Sequence, residues 1–209
     1  MKIVVIGNGM VSYKFCEKLV KKAGRLSAEV VVFGDESIPA YDRVHLSEYF
    51  EEQSAERLLM SPASWYEEQG ISLRTGEMVT AIDRENQCVH THKGHTESYD
   101  TLILATGSSA FVPKIEGMEK RGVFVYRKIE DLDQIISFGK NIRRAAVLGG
   151  GLLGLEAAKA LLDMNLETQV IEFADRLMPR QLDVEGATLL KDKITDLGIE
   201  VLLSKNTQK

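Results

Sequence analysis

The chain has 209 residues, 44% hydrophobic and 27% charged, with a formal net charge of -5. That composition suits a globular protein large enough for two modest cores. The acidic balance, with no long basic run, argues against a nucleic-acid partner, and no apolar stretch approaches the ~18 residues of a membrane span.

Residues 2–6 are an apolar run that reads as a buried strand, starting too early to leave room for a signal peptide. Gly7-Asn8-Gly9-Met10-Val11-Ser12 follows, and an amphipathic helix is expected over 10–23. After a polar insertion at 21–27, a second strand over 30–33 runs towards Asp35. A polar loop with Pro39 comes next. Ser61-Pro62 is expected to open a short helix, with Ser61 as N-cap and the proline at the first helical position, ending at Gly70. Short strands over 78–82 and 88–92 suggest a small antiparallel excursion. Residues 99–105 read as a strong buried strand entering Thr106-Gly107, and 113–117 as a crossing between domains. A helix over 130–138 leads into a second strand-turn-helix, with the turn Gly149-Gly150-Gly151-Leu152-Leu153-Gly154 and a strand ending near Glu172. A last helix over 184–197 stops at Gly198, before a strand over 199–203.

The same strand-turn-helix-strand-acid unit is therefore written twice, and it has a physical reading. A pyrophosphate approaching a helix start meets free backbone N–H groups and a favourable dipole, provided no side chain blocks the turn. Gly7 and Gly9 suit one site, Gly149 and Gly151 the other. The third glycine lets helix and strand pack closely; Gly154 supplies it in the second unit, whereas the first has Ser12. Glu172 follows Gly151 by about 20 residues, the usual spacing of the acid that accepts from an adenosine ribose. Asp35 lies a few residues farther from Gly9, in keeping with the insertion. Two grips imply two dinucleotides. The fold class expected is α/β, with two Rossmann-like βαβ nucleotide-binding domains.

Other features read as structural. Cys16 and Cys88 form neither a CxxC motif nor a ligand cluster, as suits a cytoplasmic protein with reduced thiols. His90, His92 and His95 flank a hairpin turn at Lys93-Gly94 with no second ligand pair evident, so no metal is expected. Cys16 reads as a packing residue, and Trp65 and Tyr66 as packing over a domain edge. No side chain stands out as a nucleophile or an acid–base pair, so no catalytic residue is nominated.

The paired fingerprints, with Thr101-Leu102-Ile103-Leu104-Ala105-Thr106-Gly107 between them, resemble the FAD- and NAD(P)H-dependent pyridine nucleotide oxidoreductases. The string Pro39-Ala40-Tyr41-Asp42-Arg43-Val44-His45-Leu46-Ser47-Glu48-Tyr49-Phe50 resembles more narrowly the N-terminal part of the large subunits of assimilatory NAD(P)H-dependent nitrite reductases. The resemblance implies an FAD-binding domain over 1–113 and an NAD(P)H-binding domain over 114–209. On the FAD side it implies cofactor contacts from Gly7, Asn8, Gly9 and Met10, from Asp35 on the adenosine ribose, and from Arg43 on the pyrophosphate. Val79 would lie near the adenine, and Ala105, Thr106 and Gly107 beside the flavin nucleotide. On the NAD(P)H side it implies Gly149, Gly151, Leu152 and Gly154, with Glu156 near the nicotinamide and Glu172 favouring NADH while NADPH stays possible.

The function so implied is hydride transfer from NADH to FAD, for onward delivery of electrons to a metal centre. Glu48 stands where ferredoxin and rubredoxin reductases usually carry a lysine, which argues against those branches. An NADH-dependent rubredoxin, ferredoxin or oxygen reductase remains the alternative. From another class, so does a non-catalytic dinucleotide-binding module. The resemblance also implies returning flavin-domain segments after Lys209, and siroheme and iron–sulfur sites there that Cys16 and Cys88 cannot supply. The chain is thus expected to be an N-terminal piece with both nucleotide folds unfinished, holding FAD loosely and inactive by itself. An apolar edge near 199–203 would invite self-association.

Overall fold

The computed structural model describes residues 1–23 and 27–208. The polar insertion expected at 21–27 falls partly on residues 24–26, outside the described residues. The chain divides into two compact units, one of Met1–His45 with Ser54–Ser108, the other of Leu46–Gln53 with the residues from Ser109 on.

In the first unit, β1 (Lys2–Ile6) leads through the first glycine turn into α1 (Met10–Ala23) and back to β2 (Glu29–Phe33). The short α3 (Ala63–Glu68) precedes β3 (Ile71–Arg74), and β7 (Thr101–Leu104) closes a four-stranded parallel sheet in the order β3-β2-β1-β7. The run Ile3-Val4-Val5-Ile6 is apolar throughout because both faces of the sheet are covered. Ile3, Val5, Val30 and Val32 pack with Tyr13 and Cys16 of α1 and with Tyr66 of α3. Val4, Ile6, Val31 and Phe33 pack on the other face, with Val89. Val89 belongs to a three-stranded antiparallel sheet of β4 (Val79–Asp83), β5 (Cys88–Thr91) and β6 (Thr96–Ser98), which is the excursion expected from the sequence.

Two local expectations need correcting. Ser61 does not cap α3. Pro62 occupies the N-cap in an extended conformation, and the Ser61 hydroxyl lies 3.0 Å from the Tyr13 hydroxyl instead. The strand expected to start at residue 99 starts at Thr101, because the Tyr99 amide donates to Gln87 O at 2.8 Å and so joins the hairpin.

In the second unit, α2 (Tyr49–Glu52) and α4 (Ile129–Gly139) meet, and the Tyr49 hydroxyl donates to Asp133 Oδ1 at 2.7 Å. The second glycine turn joins β8 (Arg144–Leu148) to α5 (Leu152–Asp163), which returns to β9 (Glu167–Ile171). α6 (Val184–Asp196), capped by the Asp183 carboxylate on the Gly186 amide, leads to β10 (Glu200–Leu202). The sheet is parallel, in the order β10-β9-β8. Its core holds Leu155, Ala158, Val170, Leu177 and Ile199. The apolar edge expected at 199–203 is therefore largely covered: Ile199 is fully buried, and Val201 and Leu203 pack on this core. Leu148, at the end of the other outer strand, is 43% exposed.

Candidate functional site

Both turns are built alike. The Gly7 amide donates to Phe33 O at 2.8 Å and the Gly149 amide to Ile171 O at 2.9 Å, so each glycine ties the first strand of its unit to the end of the second. Gly7 has φ +104° and Gly149 φ +109°, left-handed conformations that a side chain disfavours. A Cβ on Gly7 would also overlap the Ala105 carbonyl, which holds the β7 exit against the loop. Above Gly9 and Gly151 the space is open: apart from the chain neighbours, no atom of the described residues comes within 4 Å of a Cβ built there. These are cradles at the starts of α1 and α5, where the first-turn N–H groups have no partner within the helix. A Cβ on Gly154 would overlap Gly149 O, the close approach expected of a third glycine. Ser12, at the matching place in the first turn, is buried, and its hydroxyl has no hydrogen-bond partner among the described residues.

Asn8 is fixed by donating its Nδ2 to Ile38 O at 3.3 Å, and its Cβ lies against Gly34 at the end of β2. Met10 and Leu152 open their helices. Asp35 is exposed just past β2, whereas the next residue, Glu36, is only 8% exposed. Glu36 accepts from the Tyr41 hydroxyl at 2.6 Å and pairs with the Arg43 guanidinium, which lies 5.0 Å from the Tyr41 ring centre. Sequence reasoning named Arg43 and missed Glu36; the only available signal was that two acids stand side by side. Val79 packs on the core face that carries Phe33. Ala105 extends the β7 ladder by donating to Ile6 O at 2.8 Å, and Thr106 and Gly107 are exposed beyond it.

In the second unit, Glu172 accepts from the Gly150 amide at 2.5 Å and the Ala174 amide at 2.7 Å. Its carboxylate is thereby locked beside the glycine turn. Glu156 lies elsewhere on α5. With Ser47, Glu48, Leu152 and Met178 it lines a cavity of about 570 Å³. Burial pushes the Tyr126 hydroxyl up to about 12, and the Glu156 charge adds to that shift.

The three histidines are not gathered. His90 Nδ1 lies 3.0 Å from Thr96 Oγ1, His92 Nδ1 accepts from the Met78 amide at 3.1 Å, and His95 Nδ1 lies 2.7 Å from Glu77 Oε1.

The family model for pyridine nucleotide-disulphide oxidoreductases matches residues 1–209. The chain belongs to that family. Among relatives of this chain, the NADH nitrite reductase large subunit of Escherichia coli is 46% identical over 207 residues, covering 99% of this chain and 24% of that protein. The NAD(P)H nitrite reductase large subunit of Klebsiella oxytoca is 48% identical over 205 residues, covering 98% of this chain and 21% of that protein. The chain thus spans between a fifth and a quarter of the length of these relatives. Among solved structures, an NAD-dependent persulfide reductase from A. fulgidus superposes with a TM-score of 0.91 at 29% identity, over 100% of this chain and 41% of that one. The mixed α/β fold with parallel sheets is that of FAD- and NAD(P)-binding oxidoreductases, as the sequence predicts.

Proposed function

We propose that this chain is the flavin-reducing part of an NAD(P)H-dependent nitrite reductase, binding FAD at the first glycine turn and NADH at the second. One observation carries the reading: two glycine turns of the same build, each with open space over its middle glycine and an acid following the second strand. The identity to nitrite reductase large subunits supports the choice of branch.

Flavin bound at the first turn would accept a hydride from NADH and release electrons singly to a metal centre. The protein's part is to hold and orient. The N–H groups at the start of α1 and the open face of Gly9 suit the FAD pyrophosphate, with Asp35 nearest the ribose and Arg43, anchored by Glu36, as the accompanying cation. The start of α5 and the open face of Gly151 suit the NADH pyrophosphate. Glu172, locked by two amides, would accept from the adenosine ribose and repel the 2′-phosphate of NADPH. Siroheme and iron–sulfur groups would belong to other segments of such an enzyme. A cytoplasmic setting accords with Cys16 and Cys88 being free thiols. A second copy would pair along the outer backbone edge of β10, which meets no other strand among the described residues although its apolar side chains are largely covered.

The test is anaerobic titration with NADH of an FAD-loaded chain extended past Lys209, followed in the visible flavin bands. Bleaching by NADH is expected; a flavin that NADH leaves oxidised overturns the reading. Glu172→Ala should narrow the preference for NADH over NADPH by about tenfold, since a single like-charge contact is worth about 1 kcal/mol or more. Equal affinity for both nucleotides in the unsubstituted chain would remove the role given to Glu172.

A further inference from the structure

β4 and β5 are joined by the turn between Asp83 and Cys88. That turn places three dissimilar ligand groups on one side. Asp83 and Cys88 are paired across the two strands, and His90 follows Cys88 by two, so both β5 side chains leave the same face. The ligand atoms of Asp83, Cys88 and His90 all lie within 4.8 Å of one another. Cys88 Sγ and His90 Nε2 are 3.8 Å apart. A zinc ion about 2.3 Å from a thiolate and about 2.0 Å from an imidazole nitrogen separates the two by about 3.5 Å at a tetrahedral angle, so a small adjustment closes the site.

Each ligand is already oriented. Thr96, paired with His90 across β5 and β6, holds Nδ1 at 3.0 Å and leaves Nε2 for the thiol side. This is the arrangement in which a hydrogen bond on one ring nitrogen fixes the other for a metal. Asp83 accepts from the Glu85 and Asn86 amides at 3.1 and 2.9 Å and from the Asn86 side chain at 2.8 Å. That leaves roughly one of its four acceptor positions open. Capping the turn thus also sets the direction of the carboxylate. Cys88 is 9% exposed, while Asp83 and His90 border an open surface groove.

From this geometry we propose that Asp83, Cys88 and His90 form a binding site for a zinc-class divalent cation, with water as the fourth ligand. One thiolate and one carboxylate balance the charge of the ion. Binding displaces the Cys88 thiol proton to solvent. The site would clip the Asp83–Cys88 turn shut and keep one position open for exchange.

Co²⁺ serves as the probe, titrated into the metal-free 209-residue chain. A thiolate-to-cobalt charge-transfer band and tetrahedral visible bands should saturate at one equivalent, and Zn²⁺ should erase them. Cys88→Ser should abolish the charge-transfer band. His90→Gln and Asp83→Asn should each weaken Co²⁺ binding by about 100-fold, and Thr96→Val by about tenfold. His92→Gln should change nothing. Asp83→Asn keeps the acceptor that caps the turn, so it remains informative even if Cys88→Ser fails to fold. The proposal is overturned if no charge-transfer band forms at one equivalent. It is equally overturned if the band survives in Cys88→Ser, or if His90→Gln and Asp83→Asn both bind Co²⁺ as tightly as the parent chain.

Discussion

Gly7 and Ser12 play different parts in the first turn, and substitution should separate them. Gly7 is needed for the fold: its φ of +104° and its place against the Ala105 carbonyl leave no room for a methyl group. Gly7→Ala should cost about 1–3 kcal/mol from the backbone conformation alone, and more from the overlap, seen as a lowered urea midpoint. Ser12 is the opposite case. Its hydroxyl is buried without a partner among the described residues, a state that costs about 1–3 kcal/mol. Ser12→Ala should therefore hold or raise the midpoint; a clear loss would mean that the hydroxyl has a use. A pattern search marks both positions, but it cannot tell which one is strained. That depends on Ala105, nearly a hundred positions along the chain from either.

At the scale of elements, the antiparallel sheet is pinned to the parallel one through Glu77. This buried residue follows the Gly76 turn after β3, and its amide donates to Gly34 O at 2.7 Å. Its carboxylate takes the Thr91 hydroxyl at 2.9 Å and His95 Nδ1 at 2.7 Å. Burial acts to raise the pKa of Glu77, but the bonds from His95 and Thr91 outweigh it and hold the carboxyl below the usual range. A depressed folded-state value means that this stabilisation is present above the unfolded pKa of about 4.3 and disappears as pH falls through the lower folded value. Urea unfolding from pH 7 to pH 3 should show stability falling at the acid end, with a shallower fall in Glu77→Gln. Identical slopes would refute the assignment. The parallel strands and α1 were legible in the sequence because their apolar runs and periodicities are local. Glu77, Glu36 and the Asp83–Cys88–His90 group were not, because each owes its surroundings to pairings across strands or turns that no local pattern encodes. The Ser61 cap was misread for a related reason, since Tyr13 competes for that hydroxyl from another helix.

For the whole molecule, two units with one glycine turn each imply two separable ligand affinities. Gly9→Leu fills the open space over the first turn and should lower FAD affinity by at least about 100-fold while sparing NADH; Gly151→Leu should do the reverse. Calorimetric titration of each nucleotide into each folded variant measures this directly. Loss of both ligands from either variant would mean a shared site. The duplication itself was plain from the sequence, as was the family. The assignment of residues to units was not: Leu46–Gln53 lies within a stretch that reads as continuous with the first domain, yet it packs in the second.

That placement has a consequence for synthesis. Tyr49 finds its partner Asp133 only 84 residues later. At about 5–20 residues per second, the ribosome takes roughly 4–17 s to deliver it. Throughout that interval the sheet of the first unit is being assembled on either side of a segment whose Tyr49 lacks its partner. Nascent chains of this protein therefore carry a sticky, waiting stretch in the middle of an otherwise foldable unit, where a holding chaperone would have most to do.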